Sequence, residues 1–266
     1  MSSLFNSMPI TGVARTIADI AGIGAPHEAG APVDIIVNSA NVHFNGKKAD
    51  RVFMYCPDAI ALWLFQKYTA SFEKAFNQSN IQIPMLSIMP SVTPVCFASM
   101  YTGATPDIHG IKVYEKPVLK TDTVFDAYIR AGLKPAIIST ADASMSRIFL
   151  ERDMDYYIYD SHADCNKKAM ELIEEDRHDL IVLYNGNYDT VMHRAGTESC
   201  EALQELKENI ETYSALINHI GKHWHSHRTM VGFCPDHGCH DIDGKLGSHG
   251  LDMPEDMNII HFYRFI

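Results

Sequence analysis

Residues 229–238 read TMVGFCPDHG, a short apolar run that ends in an aspartate and a histidine. Two other stretches have the same form, RVFMYCPD at residues 51–58 and DLIVLYNGNYD at residues 179–189. Apolar runs of this length without alternation are typical of strands buried on both faces of a parallel sheet. The sequence therefore predicts parallel strands at Arg51 to Cys56, Lys134 to Ser139, Asp179 to Tyr184 and Thr229 to Cys234.

Helical patterns separate these runs. The stretch Ala59 to Phe76 carries apolar residues near helical spacing, and a second such stripe extends from Leu203 to Ile220. Alternating strands and helices predict a three-layer α/β/α sandwich with a mostly parallel central sheet. We expect residues 1–266 to form a single domain. Residues 1–48 would form an N-terminal extension packed on the core, with a helix at Ile10 to Ile20 and a short strand near Val33 to Val37.

Composition excludes several classes of protein. The formal net charge of −11 and the lack of clustered Lys and Arg argue against binding to a nucleic-acid duplex. No segment approaches the run of about 18 apolar residues that a membrane span needs. The six cysteines are scattered, as expected for reduced thiols. These features predict a cytoplasmic protein without a membrane partner, and they carry no signal for an oligomeric state.

Three aspartates follow the predicted strands, at positions 58, 189 and 236. Open parallel sheets bind ligands at the carboxyl ends of their strands, so Asp58, Asp189 and Asp236 should lie at one edge. Each alone is more typical of a helix cap or a turn. Histidines accompany them, since His193 follows Asp189 by four residues and His237 follows Asp236 directly, while a further histidine lies in the sequence GSHG at residues 247–250. Mixed carboxylate and imidazole ligands suit Zn²⁺, Mn²⁺ or iron.

Residues 90–103, PSVTPVCFASMYTG, predict a helix that begins near Thr93, because proline is well tolerated in a first helical turn. Free backbone N–H groups and the helix dipole would stabilise an anion there. The alternative is that Thr93 is an ordinary N-cap residue.

Two other interpretations concern neighbouring residues. The set Cys234, His237, Cys239 and His240 could instead form a compact zinc knuckle, although paired Cys-x-x-Cys spacing is absent. His109 is expected to shape its loop through hydrogen bonds rather than to bind a metal.

The order and spacing of these residues resemble the alkaline phosphatase superfamily, closest to its type I phosphodiesterase/nucleotide pyrophosphatase branch. The resemblance extends from about Asp50 to His249. Its most specific parts are Thr93, Thr102-Gly103, Pro106, His109-Gly110-Ile111, Asp189-x-x-x-His193, Asp236-His237-Gly238 and Gly247-Ser248-His249-Gly250.

The resemblance implies a site with two divalent metal ions, Zn²⁺ being favoured over Mn²⁺ or iron. Asp58, Thr93, Asp236 and His237 would surround one ion, and Asp189, His193 and His249 would hold the other. Thr93 would be the nucleophile that attacks a small phosphate-ester substrate, with a diester preferred.

Other activities remain compatible with this residue set. A phosphomonoesterase, a phosphonate hydrolase or a phosphomutase would use the same ligands, and a non-catalytic, metal-stabilised binding domain is an alternative of another class. The chain departs from the branch at Tyr114, where relatives often have an asparagine that contacts a phosphate oxygen. Lys112, Lys116 or Tyr114 itself would then supply that contact.

Overall fold

The order of the strands in the central sheet differs from their order in the sequence, so the connections between them cross over other strands. The structure is a computed structural model that describes residues 4–266. Its strands are β1 (Arg51–Pro57), β2 (Ile81–Leu86), β3 (Pro135–Thr140), β4 (Asp155–Tyr159), β5 (Leu180–Asn185), β6 (Thr229–Phe233), β7 (His240–Ile242), β8 (Leu246–Ser248) and β9 (Asn258–Phe265). Within the described residues, seven of these form one sheet in the order β2-β9-β6-β1-β5-β3-β4, and β7 pairs with β8 in a separate hairpin.

Strands β6, β1, β5, β3 and β4 are parallel to one another, whereas β9 is antiparallel to both β6 and β2. The register aligns the carboxyl ends of the three central strands. Pro57 of β1 lies opposite Asn185 of β5, and Tyr55 lies opposite Phe233 of β6. The residues that directly follow β1, β5 and β6 therefore lie at the same end of the sheet.

Helices cover both faces of the sheet. They are α1 (Gly12–Ala21), α2 (Asp34–His43), α3 (Leu62–Lys67), α4 (Glu73–Gln78), α5 (Thr93–Thr102), α6 (Pro106–His109), α7 (Val124–Arg130), α8 (Ser144–Ile148), α9 (His162–Glu175), α10 (Asn187–Ala195), α11 (Cys200–His223) and α12 (Pro254–Met257). Because strand side chains alternate, Val52 and Met54 of β1 pack with α1, α2, α5, α7 and α8. Phe53 and Tyr55 pack with α3, α4, α9, α10 and α11 on the opposite face. The predicted three-layer sandwich is confirmed.

The strands predicted from apolar runs agree with β1, β3, β5 and β6, and the second helical stripe lies in α11. The predicted helix between Ala59 and Phe76 is interrupted, since α3 and α4 are separated by a 3₁₀ turn at Thr69–Phe72. The Thr69 hydroxyl bonds to the carbonyls of Phe65 and Gln66, which ends the first helix locally.

Near the N-terminus, the predicted helix at Ile10 to Ile20 agrees with α1, but the predicted strand at Val33 to Val37 is wrong, because these residues enter α2. Ile36 and Ala40, one helical turn apart, are buried, while Ile35 is exposed. The branched residues that suggested a strand therefore follow helical spacing. The buried residues of α1 belong to the same apolar cluster as β1. Among residues 4–266, no helix combines the length and apolar character needed to cross a bilayer.

Candidate active site

The carboxyl ends of β6, β1 and β5 carry the three predicted aspartates. Asp58 comes directly after β1, Asp236 follows β6 by three residues, and Asp189 lies in the first turn of α10, which follows β5. Since these strands are neighbours in the sheet, the fold brings the three carboxylates to one place.

Asp58, Asp236 and His237 form what we call the inner group. Their candidate donor atoms lie within 4.8 Å of one another, and all three side chains are buried. Nε2 of His237 is 3.3 Å from Oδ1 of Asp58 and 3.4 Å from Oδ2 of Asp236. These residues lie on backbone anchored in the sheet, so the inner group is held rigidly.

Asp189, His193 and His249 form what we call the outer group, whose donor atoms also lie within 4.8 Å of one another. Oδ1 of Asp189 is 3.3 Å from Nε2 of His193 and 3.5 Å from Nε2 of His249. His249 follows β8 and adjoins the inner group, because its ring stacks on that of His237 with centroids 4.0 Å apart. The two groups are therefore adjacent.

All three histidines present the same nitrogen to the aspartates. Nδ1 of His193, His237 and His249 lies 2.9–3.0 Å from the carbonyl oxygen of Gly247, Gly238 and Ser91, respectively. A carbonyl oxygen only accepts, so Nδ1 must carry the proton, and in a neutral imidazole Nε2 then offers a lone pair. Histidines that bind a metal through one ring nitrogen usually donate a hydrogen bond from the other ring nitrogen in this way.

Several carboxylate oxygens in the site lack a hydrogen-bond donor. Oδ1 of Asp58, Oδ2 of Asp236 and Oδ1 of Asp189 are buried and have no hydrogen-bond partner among the described residues. Each is the oxygen that faces a histidine Nε2. Leaving buried carboxylate oxygens unpaired is costly, and a cation held between oxygen and nitrogen would remove that cost. The residues therefore fit divalent metal ions.

The electrostatics of the two groups differ. Burial, followed by the charge of Asp189, raises the pKa of Asp58 to about 6, and burial together with Asp58 raises the pKa of Asp236 well above its usual range. Burial also acts to raise the pKa of Asp189, but its close contact with His193 and the surrounding imidazoles outweigh this and lower it. Burial lowers the pKa of His249 to about 3. The inner carboxylates thus lack compensating positive charge.

Thr93 is the first residue of α5, and its side chain does not cap the helix. Instead, its buried hydroxyl lies 3.3 Å from Oδ2 of Asp58 and 3.3 Å from Nε2 of His237. The N-cap interpretation is therefore not supported. The hydroxyl lies at a helix N-terminus, which favours negative charge, and against the inner group, where a bound cation would stabilise an alkoxide.

Tyr184 is a site residue that the sequence analysis missed. Its hydroxyl donates a 2.5 Å hydrogen bond to Oδ2 of Asp58, the same oxygen that accepts from Thr93. The only sequence signal was its position as the last aromatic residue before the end of β5. Tyr184 leaves Oδ1 as the free oxygen of Asp58.

Gly247 allows the β7-β8 hairpin to lie directly against α10. A Cβ atom at this position would lie 2.4 Å from Sδ of Met192 and 2.6 Å from its carbonyl oxygen. The carbonyl of Gly247 in turn accepts from His193. The glycine therefore helps to bring His249 and His193 together.

Tyr114 and its neighbouring lysines occupy the loop after α6. Nζ of Lys112 pairs with Asp107 at 2.6 Å, and Nζ of Lys116 donates to the carbonyl of Asp142 at 2.6 Å. Burial and then the charges of Asp58, Asp189 and Asp236 raise the pKa of Tyr114. The charges of the three aspartates therefore act on the Tyr114 hydroxyl, whereas the ammonium groups of Lys112 and Lys116 are bound to other residues.

The zinc-knuckle interpretation is not supported. Sγ of Cys239 lies 3.6 Å from the Tyr188 hydroxyl, and Nδ1 of His240 lies 2.7 Å from Oδ1 of Asp256. None of the potential metal-binding groups found within residues 4–266 contains a cysteine.

His109 has the loop-shaping role expected from the sequence. Its Nδ1 accepts from the backbone N–H of Ile111 at 3.2 Å, which leaves Nε2–H to donate to Ser99 at 2.9 Å. Both ring nitrogens are thereby engaged within the protein.

The sequence matches the family model described as type I phosphodiesterase/nucleotide pyrophosphatase over residues 57–131. The matched segment contains Asp58, Thr93, His109 and Tyr114. No curated protein sequence matches the chain.

Solved structures share the fold. Murine ectonucleotide pyrophosphatase/phosphodiesterase 5, an inactive variant in complex with AMP, superposes with a TM-score of 0.59 and 16% identity over 73% of this chain. The human protein gives a TM-score of 0.57 with 15% identity over 73% of this chain and 58% of its own. Phosphonoacetate hydrolase from Sinorhizobium meliloti 1021, in complex with phosphonoformate, gives 0.53 with 18% identity over 73% of this chain. The chain spans about 59% of the length of the murine and bacterial proteins.

The fold is therefore of the alkaline phosphatase type, with a mostly parallel sheet and helices on both faces. Within that class, the predicted resemblance to type I phosphodiesterases and nucleotide pyrophosphatases is confirmed by the family match.

Proposed function

We propose that the protein is a metal-dependent phosphoric ester hydrolase in which Thr93 is the nucleophile. Asp58, Asp236 and His237 would hold one divalent ion beside Thr93, and the outer group would hold a second. The family match and the names of the structural neighbours support phosphoryl hydrolysis as the general activity.

One observation carries the proposal: the Thr93 hydroxyl lies 3.3 Å from both Asp58 and His237, beside buried carboxylate oxygens that lack hydrogen-bond partners among the described residues. A threonine that served only the helix would bond to backbone N–H groups. Its position supports a chemical role.

The ligand types support Zn²⁺ as the ion, with Mn²⁺ or iron also suited to mixed carboxylate and imidazole sites. Divalent cations bound there would ease deprotonation of the threonine and neutralise charge on the phosphoryl oxygens. The histidine Nε2 atoms and the unpaired aspartate oxygens are the groups that would hold them.

The protein's own groups suffice to describe the covalent steps. Oγ1 of Thr93 forms a bond to phosphorus as one of the two ester P–O bonds of a diester breaks, and the leaving oxygen takes a proton from solvent to depart as the alcohol. The hydroxyl proton of Thr93 passes towards Oδ2 of Asp58, which already accepts its hydrogen bond. The covalent intermediate is a phosphothreonine that still carries the second ester group of the diester. A water then cleaves the Oγ1–P bond, which restores the threonine and releases the phosphate monoester.

The substrate would be a small phosphate ester. The murine neighbour binds AMP and the bacterial one phosphonoformate, so both carry small phosphorus-containing anions. We propose that Tyr114, a neutral hydroxyl donor, takes the place of the family asparagine, because Lys112 and Lys116 have other partners. A neutral donor favours the singly charged diester over the monoester, with phosphonate hydrolysis as the alternative chemistry. We also propose that the chain is a single catalytic domain with residues 1–48 as an N-terminal extension packed on the core, of which residues 1–3 lie outside the described residues.

The test compares Thr93→Ala with Thr93→Ser in protein supplied with Zn²⁺ or Mn²⁺. We expect wild-type protein to hydrolyse a bis-nitrophenyl phosphate, Thr93→Ala to lose at least about a thousandfold in kcat, and Thr93→Ser to keep part of the activity. Acid quench of the wild type during turnover, followed by mass spectrometry, should detect a nitrophenyl phosphate group on the peptide that contains Thr93.

Full activity of Thr93→Ala would remove Thr93 as the nucleophile. Metal binding without turnover of any phosphate ester or phosphonate would instead favour a non-catalytic, metal-stabilised domain.

A further inference from the structure

A third group of residues that could bind a metal lies where α9 and α11 end side by side. Glu174 is in the last turn of α9, and His219 and His223 are in the last turns of α11. The indole N–H of Trp224 donates to the carbonyl of Ile173 at 2.9 Å, which fixes the two helix ends against each other. We call Glu174, His219 and His223 the helix-end group.

This group is far from the candidate active site. The helix α9 leads into the amino end of β5, and α11 leads into the amino end of β6. Asp189 and Asp236 of the candidate active site follow the carboxyl ends of the same two strands. Five to six strand residues therefore separate the two places, a distance of about 15–20 Å at about 3.3 Å per residue.

The geometry of the helix-end group is that of a metal site. Its three candidate donor atoms lie within 4.8 Å of one another. His219 and His223 are four residues apart on α11, so they share one face, and their ring centroids are 4.4 Å apart. Two histidines at this helical spacing form a common zinc-binding pair, which a carboxylate from elsewhere completes.

Two nitrogens of the group lack ordinary partners. Nε2 of His219 and Nε2 of His223 are buried and have no hydrogen-bond partner in the described part of the chain. Nε2 of His219 lies 3.1 Å from Oε1 of Glu174, yet the two atoms are not aligned as a hydrogen bond. The two nitrogens are therefore not occupied by a hydrogen bond within the described residues.

The neighbouring acidic residues are already paired, whereas Glu174 is not. Glu175 pairs with Arg177 and Lys168, and Asp176 pairs with Arg51 and His227. Within residues 4–266, Glu174 has no lysine or arginine partner within 4 Å, and it faces only imidazole. Its carboxylate is thus available to a cation.

We propose that the helix-end group binds a Zn²⁺ ion through Glu174, His219 and His223. Solvent completes the coordination, because Glu174 is half exposed. The bound ion joins the end of α9 to the end of α11 and stabilises the face of the sheet that these helices cover. The site is independent of the proposed catalytic function.

The experiment measures zinc bound per full-length chain, by isothermal titration and by elemental analysis after gel filtration. It compares wild-type protein with His219→Gln, His223→Gln and the matched control His225→Gln. His225 is exposed and bonds to the carbonyl of Lys222, so it lies at the same helix end but outside the group. Glutamine keeps much of the size and polarity of histidine, and circular dichroism reports whether each variant is folded.

We expect wild type and His225→Gln to bind one Zn²⁺ more than His219→Gln or His223→Gln. Saturating Zn²⁺ should also raise the Tm of wild type about 3 °C more than that of either cluster variant. Glu174→Gln, a change at a half-exposed position, should lower the affinity of the helix-end group for Zn²⁺ at least about tenfold. Equal zinc content and equal Tm shifts in wild type, His219→Gln and His223→Gln would overturn the proposal. So would an equal loss in His225→Gln.

Discussion

The inner and outer groups contain the same ligand types but differ in how the fold holds them. Asp58, Asp236 and His237 have side chains at most 1% exposed and lie on backbone that leaves β1 and β6. In the outer group, the His193 side chain is 42% exposed and His249 is on the loop after a short hairpin. The inner group is thus fixed by the sheet, whereas the outer group depends on a helix surface and a hairpin. Metal affinity and tolerance to mutation should follow this difference.

The largest effect is expected at Asp236. Asp236→Asn keeps the shape of the side chain but removes one charge from the inner group, so kcat/KM should fall about a thousandfold. The metal-free protein should not become less stable, because burial already disfavours the charged carboxylate. Steady-state kinetics and urea unfolding in EDTA measure the two effects. Activity within tenfold of wild type would contradict the assignment of the inner group.

The next effect concerns pH. The pKa of Asp58 is about 6 in the folded protein, against 3.8 normally, so the unfolded chain releases this proton first. As pH rises from about 4 to about 6, the unfolded state binds fewer protons, and the metal-free protein should lose on the order of 2 kcal/mol of stability from this group. Urea unfolding in EDTA at several pH values measures the loss.

Asp189 has a lowered pKa and contributes with the opposite sign, so a matched variant is needed. Plotted against pH, the free energy of unfolding of Asp58→Asn should lack the part of the decrease that is due to Asp58. An unchanged slope in this variant would show that the inner group does not carry the effect. Added Zn²⁺ should abolish this loss of stability with rising pH, because the ion compensates the buried charge of the Asp58 carboxylate.

The outer group should be easier to weaken and to rescue. His193→Gln should reduce activity about 10- to 100-fold at limiting metal, and excess metal should restore most of it. His249→Gln should be harder to rescue, since the His249 ring stacks on His237 at 4.0 Å and contacts both groups. Activity measured against metal concentration gives both results. If excess metal restored the activity of both variants equally, the proposed difference between His193 and His249 would be wrong.

The smallest effect is expected at Tyr114. Tyr114→Phe removes one hydroxyl donor and should lower kcat/KM for a diester about threefold to tenfold. Tyr114→Asn should retain more activity, since it restores the amide found in relatives. Lys112→Met, which breaks only an exposed pair with Asp107, should change kcat/KM little. A larger loss in Lys112→Met than in Tyr114→Phe would transfer the phosphate contact to the lysine.

The sequence predicts the centre of the fold better than its edges. Strands β1, β5 and β6 are buried on both faces, so their continuous apolar runs were readable. The edge strand β2 contains Pro84, a residue that argues against a strand except at an edge, and β2 was missed as an element. The region of Val33 to Val37 was misread because branched residues favour strands locally, while packing on the core imposed a helix.

The site shows a similar division. Asp58, Asp189 and Asp236 could be placed together because neighbouring parallel strands end at one edge. His249 could be placed only through its family motif, since its position depends on the β7-β8 hairpin. Tyr184 and Glu174 lie far along the chain from the residues they contact, and single-sequence periodicity carries no signal for such pairs.

The close approach at Gly247 has a consequence for protein engineering. An alanine there would push the hairpin away from Met192, and with it the ring of His249 from that of His193. One methyl group would therefore act as a spacer that widens the gap between the two rings, without altering any of the proposed ligands.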